Sequence, residues 1–226
     1  MRFPSLLLFM TVWPLAAGEL EVARDKQDRA ALAKSAAALS EEASRKEKDP
    51  AAHYQAALAH SYLSEVALEL RDKGAARDAA QAGMKSAQAA IQLDPAKAEY
   101  HRVLGTLCGQ IIPAAPLAGM QHGKCAKQEI EKALQLDPRS ATAWIASGVG
   151  KFYLPPIFGG GVDLALQDFQ KAAALEPKLP EAWLWIGMAH RKANRNAEAR
   201  EALQKALTLN PQRIWIKQQL EKTPAQ

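Results

Sequence analysis

The sequence predicts an all-α protein built as a stack of similar helical units. Alanine- and leucine-rich stretches recur along the 226-residue chain, and each is followed by an acidic or amide residue and a proline. Proline lacks an amide hydrogen and restricts the residue before it, so each dipeptide is expected to end a helix. The dipeptides are Asp49-Pro50, Asp94-Pro95, Asp137-Pro138, Glu176-Pro177 and Asn210-Pro211. Because one such unit cannot bury its apolar face alone, the recurrence indicates a stack of about three or more.

The spacing of the prolines indicates the kind of unit. Successive prolines lie 45, 43, 39 and 34 residues apart, and 34 residues is the length of the tetratricopeptide repeat, which pairs helix A with an antiparallel helix B. The last unit has Trp183, Gly187, Ala199 and Pro211 where that repeat has its signature residues. Earlier units carry matching residues at Trp144, Gly148, Ala165, Phe169, Ala172 and Pro177, then at Leu104, Gly105, Ala126, Ile130, Ala133 and Pro138, and more weakly at Ala56, Ala59, Gly83, Ala90 and Pro95. The chain thus resembles a tetratricopeptide-repeat protein over about residues 50 to 211.

The resemblance implies a right-handed superhelical solenoid of about four helix pairs. We expect an N-terminal capping helix within residues 19–49, the solenoid over 50–211, and a C-terminal capping helix and tail over 212–226. The extra residues of the longer units fall between helix A and helix B. One of these inserts, Leu-Pro-Pro-Ile-Phe-Gly-Gly-Gly at 154–161, resembles that of periplasmic tetratricopeptide proteins such as the T component associated with tripartite transporters.

The first 18 residues predict export. Arg2 is followed by an apolar run and then by small residues suited to cleavage, which is the pattern of a secretory signal peptide. The apolar run is too short to span a bilayer, and no cysteine follows it to carry a lipid. The alternative is an uncleaved, buried N-terminal helix. We therefore expect a periplasmic or secreted protein.

The only two cysteines, Cys108 and Cys125, are predicted to flank the turn between the helices of the second unit. In an oxidising compartment this arrangement predicts a disulfide; two buried free thiols are the alternative. A metal site at His122 and Cys125 lacks further ligands. No cofactor motif is present, since the glycines at 159–161 are not followed by Lys-Ser or Lys-Thr. No catalytic arrangement is evident from spacing, so the sequence predicts a protein that is not an enzyme.

The net charge of +5 does not indicate a nucleic-acid partner, because the basic residues alternate with acids and no aromatic residues are interleaved with them. The pattern predicts a solvated helix face; contact with anionic envelope material is the alternative. The family resemblance instead implies that helix A lines a concave groove for a protein or peptide. Its apolar C-terminal half with a cationic rim suits an amphipathic helix or an extended segment. The expected groove residues are Thr142, Ile145, Val149, Phe152, Tyr153, Leu184, Met188, Arg191 and Lys192. The alternative is that inserted loops or the N-terminal helix fill the groove.

Two functions remain open on the sequence. The first is an exported scaffold or adaptor that binds a protein or peptide segment. The second is a ligand-handling accessory protein of an envelope transporter. The sequence does not identify the partner.

Overall fold

The computed structural model describes residues 17–114 and 119–225 and contains α-helices but no strands in those ranges. Two helices, α1 and α2, precede four antiparallel pairs, and a short helix follows them. The bounds are α1 Ala17–Asp25, α2 Arg29–Arg45, α3 Pro50–Glu69, α4 Lys73–Leu93, α5 Ala98–Ile111, α6 Gly119–Leu136, α7 Ala141–Tyr153, α8 Val162–Leu175, α9 Pro180–Lys192, α10 Asn196–Leu209 and α11 Ile214–Glu221. The predicted all-α stack of helix pairs is confirmed. Of the predicted signal peptide, residues 1–16 lie outside the described ranges.

The N-terminal cap differs from the single helix that we expected. Two helices meet at residues 26–28, where Gln27 adopts a left-handed backbone with φ of 53°. Asp28 then begins α2, its side chain accepting a hydrogen bond from the amide of Ala31 at 3.0 Å. Because aspartate is a strong N-cap, it favours a new helix start over continuation.

The first dipeptide also acts differently from the others. Helix α2 ends at Arg45, before the dipeptide, whereas Asp49 caps α3 and Pro50 is its first residue. Proline suits this position because the first amides of a helix have no intrahelical partner. Asp49-Pro50 therefore starts a helix, whereas α4, α6, α8 and α10 each end just before their dipeptide.

In three of the four pairs a glycine on helix A (Gly105, Gly148 or Gly187) lets helix B approach closely, whereas in the first pair the glycine is Gly83 on helix B. A Cβ atom added to Gly148 would lie 2.4 Å from the ring of Phe169, and one added to Gly187 would lie 2.6 Å from Leu203. The glycines thus let the large side chain of helix B reach the backbone of helix A, which explains the recurring glycine in the repeat pattern.

The extra residues of the longer units are accommodated in two ways. In the first unit they lengthen the helices, so that α3 and α4 span 20 and 21 residues with only residues 70–72 between them. In the third unit they form a connection of residues 154–161 that contains a short 3₁₀ turn. No helix in the described ranges combines the length and the apolar character needed to cross a bilayer.

Candidate functional site on the concave face

The helices named A (α3, α5, α7 and α9) line the concave side of the stack. Each of them contacts the next A helix, whereas consecutive B helices are farther apart in the described ranges. A stack whose A helices crowd together must curve with those helices inside. These contacts agree with the inner position of the A helices that the repeat pattern predicts.

Helix α1 reaches across this concave side. It packs on α2 and α3 through the fully buried Leu20. At its end Arg24 donates a hydrogen bond to Glu181 of α9 at 2.7 Å and to Asp25 at 2.8 Å. The same guanidinium lies 5.0 Å from the ring centre of Tyr62 of α3. Part of the concave side is thus occupied by the N-terminal segment, which is one of the two alternatives that the sequence left open.

The buried Arg24 remains charged in this position. Burial alone would lower the pKa of its guanidinium, but the carboxylates of Glu181 and Glu65 more than offset that effect and raise the pKa well above its ordinary value. The concave side therefore contains a site that holds a cation between two acids and an aromatic ring.

A second buried arginine joins the two ends of the stack. Arg213, just before α11, is 1% exposed and donates to Glu65 at 2.7 Å and to both oxygens of Glu69. It also donates to the carbonyl oxygen of Arg24 at 3.0 Å and lies 3.6 Å from Asp25. We call these five residues the closure cluster. They connect α1 and α3 to the start of α11.

Polar side chains around the closure cluster reinforce this link. Asn210 donates to Asp25 at 2.7 Å, and Gln27 donates to Glu69 at 2.9 Å. Gln27 also exchanges hydrogen bonds with Gln218 of α11 at 3.4 and 3.2 Å. The two termini of the solenoid are therefore joined by ion pairs and hydrogen bonds.

The stability of the closure cluster should depend on pH through Glu69. Burial and the neighbouring Glu65 raise the pKa of Glu69 from its ordinary value of 4.5 to about 7. Between those values the folded state holds a proton that the unfolded state has lost. The contribution of Glu69 to the free energy of unfolding is therefore complete at acidic pH. About 1–3 kcal/mol of it is lost as the pH rises through this window.

Urea denaturation across that pH window measures this effect. Glu69→Gln should flatten the slope, because glutamine cannot lose a proton. Glu41→Gln, which removes an exposed pair with Arg45, is the control and should keep the wild-type slope. A Glu69→Gln protein with the wild-type slope would refute the assignment.

The structure divides the predicted groove residues into buried and accessible ones. Phe152 is 6% exposed, and its ring packs edge-on against Trp185 at 5.8 Å. The apolar part of the predicted groove is therefore largely buried, because Phe152 and most of the aliphatic members pack between the helices, whereas Tyr153 stays exposed. The buried members are Ile145, Phe152, Leu184 and Met188; Thr142, Val149 and Arg191 are half-buried; Tyr153 and Lys192 are exposed.

The cationic rim of the groove is anchored to the protein. Arg191 donates to the carbonyl of Gln219 at 2.9 Å and to its side chain at 2.7 Å. Lys192 donates to the carbonyl of Phe152, with its ammonium 4.2 Å from that ring. Neither cation pairs with a carboxylate among the described residues, so both leave positive charge beside Tyr153.

Several residues of this surface were not identified from the sequence. Arg24, Glu65 and Arg213 belong to three different helices or turns, and nothing in their local spacing connects them. Trp185 was not among the predicted groove residues, yet it contacts Phe152 and stacks on Phe169 at 5.7 Å. The one sequence feature that could have pointed to this site is Arg24 itself, because it is a cation on the apolar face of a helix.

The predicted pairing of the cysteines is present in the structure. Cys108 near the end of α5 and Cys125 in α6 form a disulfide with a Cα–Cα distance of 6.0 Å. No group of three or more potential metal ligands is found in the described part of the chain.

Two family models match parts of the sequence. The family model described as regulator of microtubule dynamics protein 1-3 matches residues 25–154, more than half of the chain. The tetratricopeptide-repeat model matches residues 180–213. No curated protein matches the chain significantly.

Solved structures resemble the chain at low sequence identity. A thermophilic tetratricopeptide protein of Thermus thermophilus aligns with a TM-score of 0.65 and 17% identity, over 91% of this chain and 97% of the other. MamA from Desulfovibrio magneticus gives 0.47 and 17% over 85% and 96%. YrrB, a repeat protein with an unusual peptide-binding site, gives 0.46 and 18% over 90% and 97%. The likeness to the thermophilic protein shows a shared fold.

Proposed function

This chain belongs to the family described as regulator of microtubule dynamics protein 1-3, and we propose that it is a protein-binding scaffold rather than an enzyme. The observation that carries the proposal is the position of α1. The concave side holds this helix by burying Leu20 and by binding Arg24 between Glu181 and Tyr62. A surface that holds one helix by apolar packing and a paired charge has the chemistry to hold another.

The partner segment is proposed to lie beside α1, over the C-terminal half of the concave side. Tyr153 is the exposed aromatic residue there, and Thr142, Arg191 and Lys192 supply polar contacts around it. Because Arg191 and Lys192 lack carboxylate partners among the described residues, an amphipathic segment with acidic residues fits best. A small apolar ligand is less well supported, since the apolar groove residues are packed in the core.

Photo-crosslinking in the producing cell tests this proposal. A photoreactive amino acid in place of Tyr153 should give discrete protein adducts. The same group in place of Gln170, an exposed residue of the B helix α8, should give few. Equal adducts at the two positions, or none at Tyr153, would reject the concave side as the binding surface.

The family description suggests the first partner to examine. The family name refers to the regulation of microtubule dynamics, and co-sedimentation with microtubules at increasing protein concentration will show whether this chain binds them. Saturable sedimentation, abolished by replacing Arg191 and Lys192 with glutamine, would identify tubulin as the acidic partner and would contradict the export proposed below, because microtubules are cytosolic. If the protein does not sediment, its partner is a protein other than tubulin, and the crosslinked adducts will identify it.

We also propose that the protein is exported. The Cys108–Cys125 disulfide supports an oxidising compartment, in agreement with the signal-peptide pattern of residues 1–18. Mass spectrometry of the protein purified from the producing cell should find a chain that begins near residue 19. A full-length chain in the cytosolic fraction would reject export.

A further inference from the structure

The strongest surface feature outside the concave side is the connection between α7 and α8. Residues 154–161, here called the insert, place Ile157 84% and Phe158 67% exposed. Large apolar side chains contribute nothing to the core when they remain in water, and adjacent exposed ones usually mark a contact surface. Neither side chain contributes to the fold, so their apolar character requires another explanation.

The backbone of the insert is fixed by hydrogen bonds. The amide of Gly160 donates to the carbonyl of Pro155 at 3.2 Å, and that of Gly161 donates to the carbonyl of Lys151 at 2.9 Å. A Cβ atom at Gly160 would lie 1.9 Å from the carbonyl oxygen of Leu154, so only glycine permits this turn. The insert is thus a rigid projection that presents Ile157 and Phe158 at its tip.

Further apolar residues point from the same edge of the stack. Because the A helices run in the same direction, every A-to-B connection lies at one edge. Met120, in the first turn of α6, is 90% exposed there. Leu70, between α3 and α4, is exposed at this edge as well. Apolar tips therefore occur in three of the four units at one edge of the solenoid.

Positive charge surrounds the insert. Lys192 donates to the carbonyl of Phe152 just before it, and Arg195 lies 3.8 Å from Asp163 just after it. The carboxylate of Asp168 is buried and paired with Lys151 at 2.7 Å. Neither Lys192 nor Arg191, which lies near Tyr153, pairs with a carboxylate among the described residues, so positive charge remains beside the start of the insert.

From this arrangement we propose that the insert docks the protein on an anionic lipid bilayer. Protruding apolar tips fit an interface that deforms around them, whereas a protein partner would need a separate pocket for each tip. Partial insertion of Ile157 and Phe158 among the acyl chains would bring Lys192 and Arg195 to the level of the anionic headgroups. Apolar burial and charge would then act together, as stable peripheral binding requires.

Vesicle flotation tests the proposal with two matched variants. The wild-type protein should float with phosphatidylcholine vesicles that contain phosphatidylglycerol, and only weakly with pure phosphatidylcholine. Ile157→Ser combined with Phe158→Ser should weaken binding about tenfold or more, with an unchanged melting temperature because both side chains are exposed. Leu93→Ser alters an exposed leucine at the opposite edge and should bind as the wild type does.

A site-specific probe reports the depth of insertion. Both native cysteines form the disulfide, so Ile157→Cys can be labelled selectively with a polarity-sensitive dye. Its emission should shift to the blue on anionic vesicles, while the dye on Leu93→Cys should not respond. The proposal is overturned if the wild-type protein does not float, if the double serine variant floats equally well, or if a crosslinker at residue 157 captures a protein without vesicle binding.

Discussion

Replacing Arg213 with alanine is expected to lower the free energy of unfolding by about 3–5 kcal/mol. The guanidinium is fully buried and pairs with Glu65 and Glu69 on α3 while approaching Asp25 on α1. Without it, Glu65 and Glu69 lose the cation that both of them bond, and only Arg24, which is already paired with Asp25, remains near them. The cost of leaving buried charge unpaired exceeds what the ion pair itself contributes.

Urea denaturation followed by circular dichroism measures the loss. Arg139→Ala is the matched control, because Arg139 is exposed and should change stability by less than about 0.5 kcal/mol. A compensated variant with Arg213→Met, Glu65→Gln and Glu69→Gln should recover much of the loss, since it removes the charges together. If Arg213→Ala is as stable as the control, the closure cluster does not form in solution.

Breaking the Cys108–Cys125 disulfide is expected to cost about 3 kcal/mol of stability. The bond closes a loop with a sequence separation of 17 residues, and loops of this size restrict the unfolded chain by that amount in the loop-entropy model. The loop contains the connection between α5 and α6, so the second unit should be the first part of the stack to unfold when the bond is broken.

Denaturation with and without reductant provides the measurement. The variant with both cysteines replaced by alanine should resemble the reduced wild type and should not respond to reductant. Thiol counting on the denatured, unreduced protein should find no free thiol. Two reactive thiols in freshly prepared exported protein would show that the bond is absent.

The sequence predicted the repeats well because their signals are local. Gly148 and Phe169 stand within one helix pair, and the disulfide joins the two helices of another. Each such feature follows from residues less than one repeat apart. The sequence therefore predicted the four pairs, the position of the inserts and the cysteine pairing.

The groove could not be predicted with the same accuracy because exposure depends on neighbouring units. Phe152 occupies an inward position of the family pattern, but Trp185 of the next unit packs against it and helps to bury it. Similarly, Arg24 and Glu181 meet only because the stack curves. Curvature accumulates over four units, and no single repeat encodes it.

The link between the termini changes how the chain should fold. In an open solenoid each repeat contacts only its neighbours, so end repeats can fray independently and stability is a sum of local terms. Here Gln27 bonds Gln218 across 191 residues, and Arg213 bonds Glu69 across 144. Contacts of such long range raise the contact order and form after the intervening repeats. Loss of either end therefore removes contacts from the other end, which favours one cooperative unfolding transition. Removal of the residues up to 25 should accordingly destabilise α11.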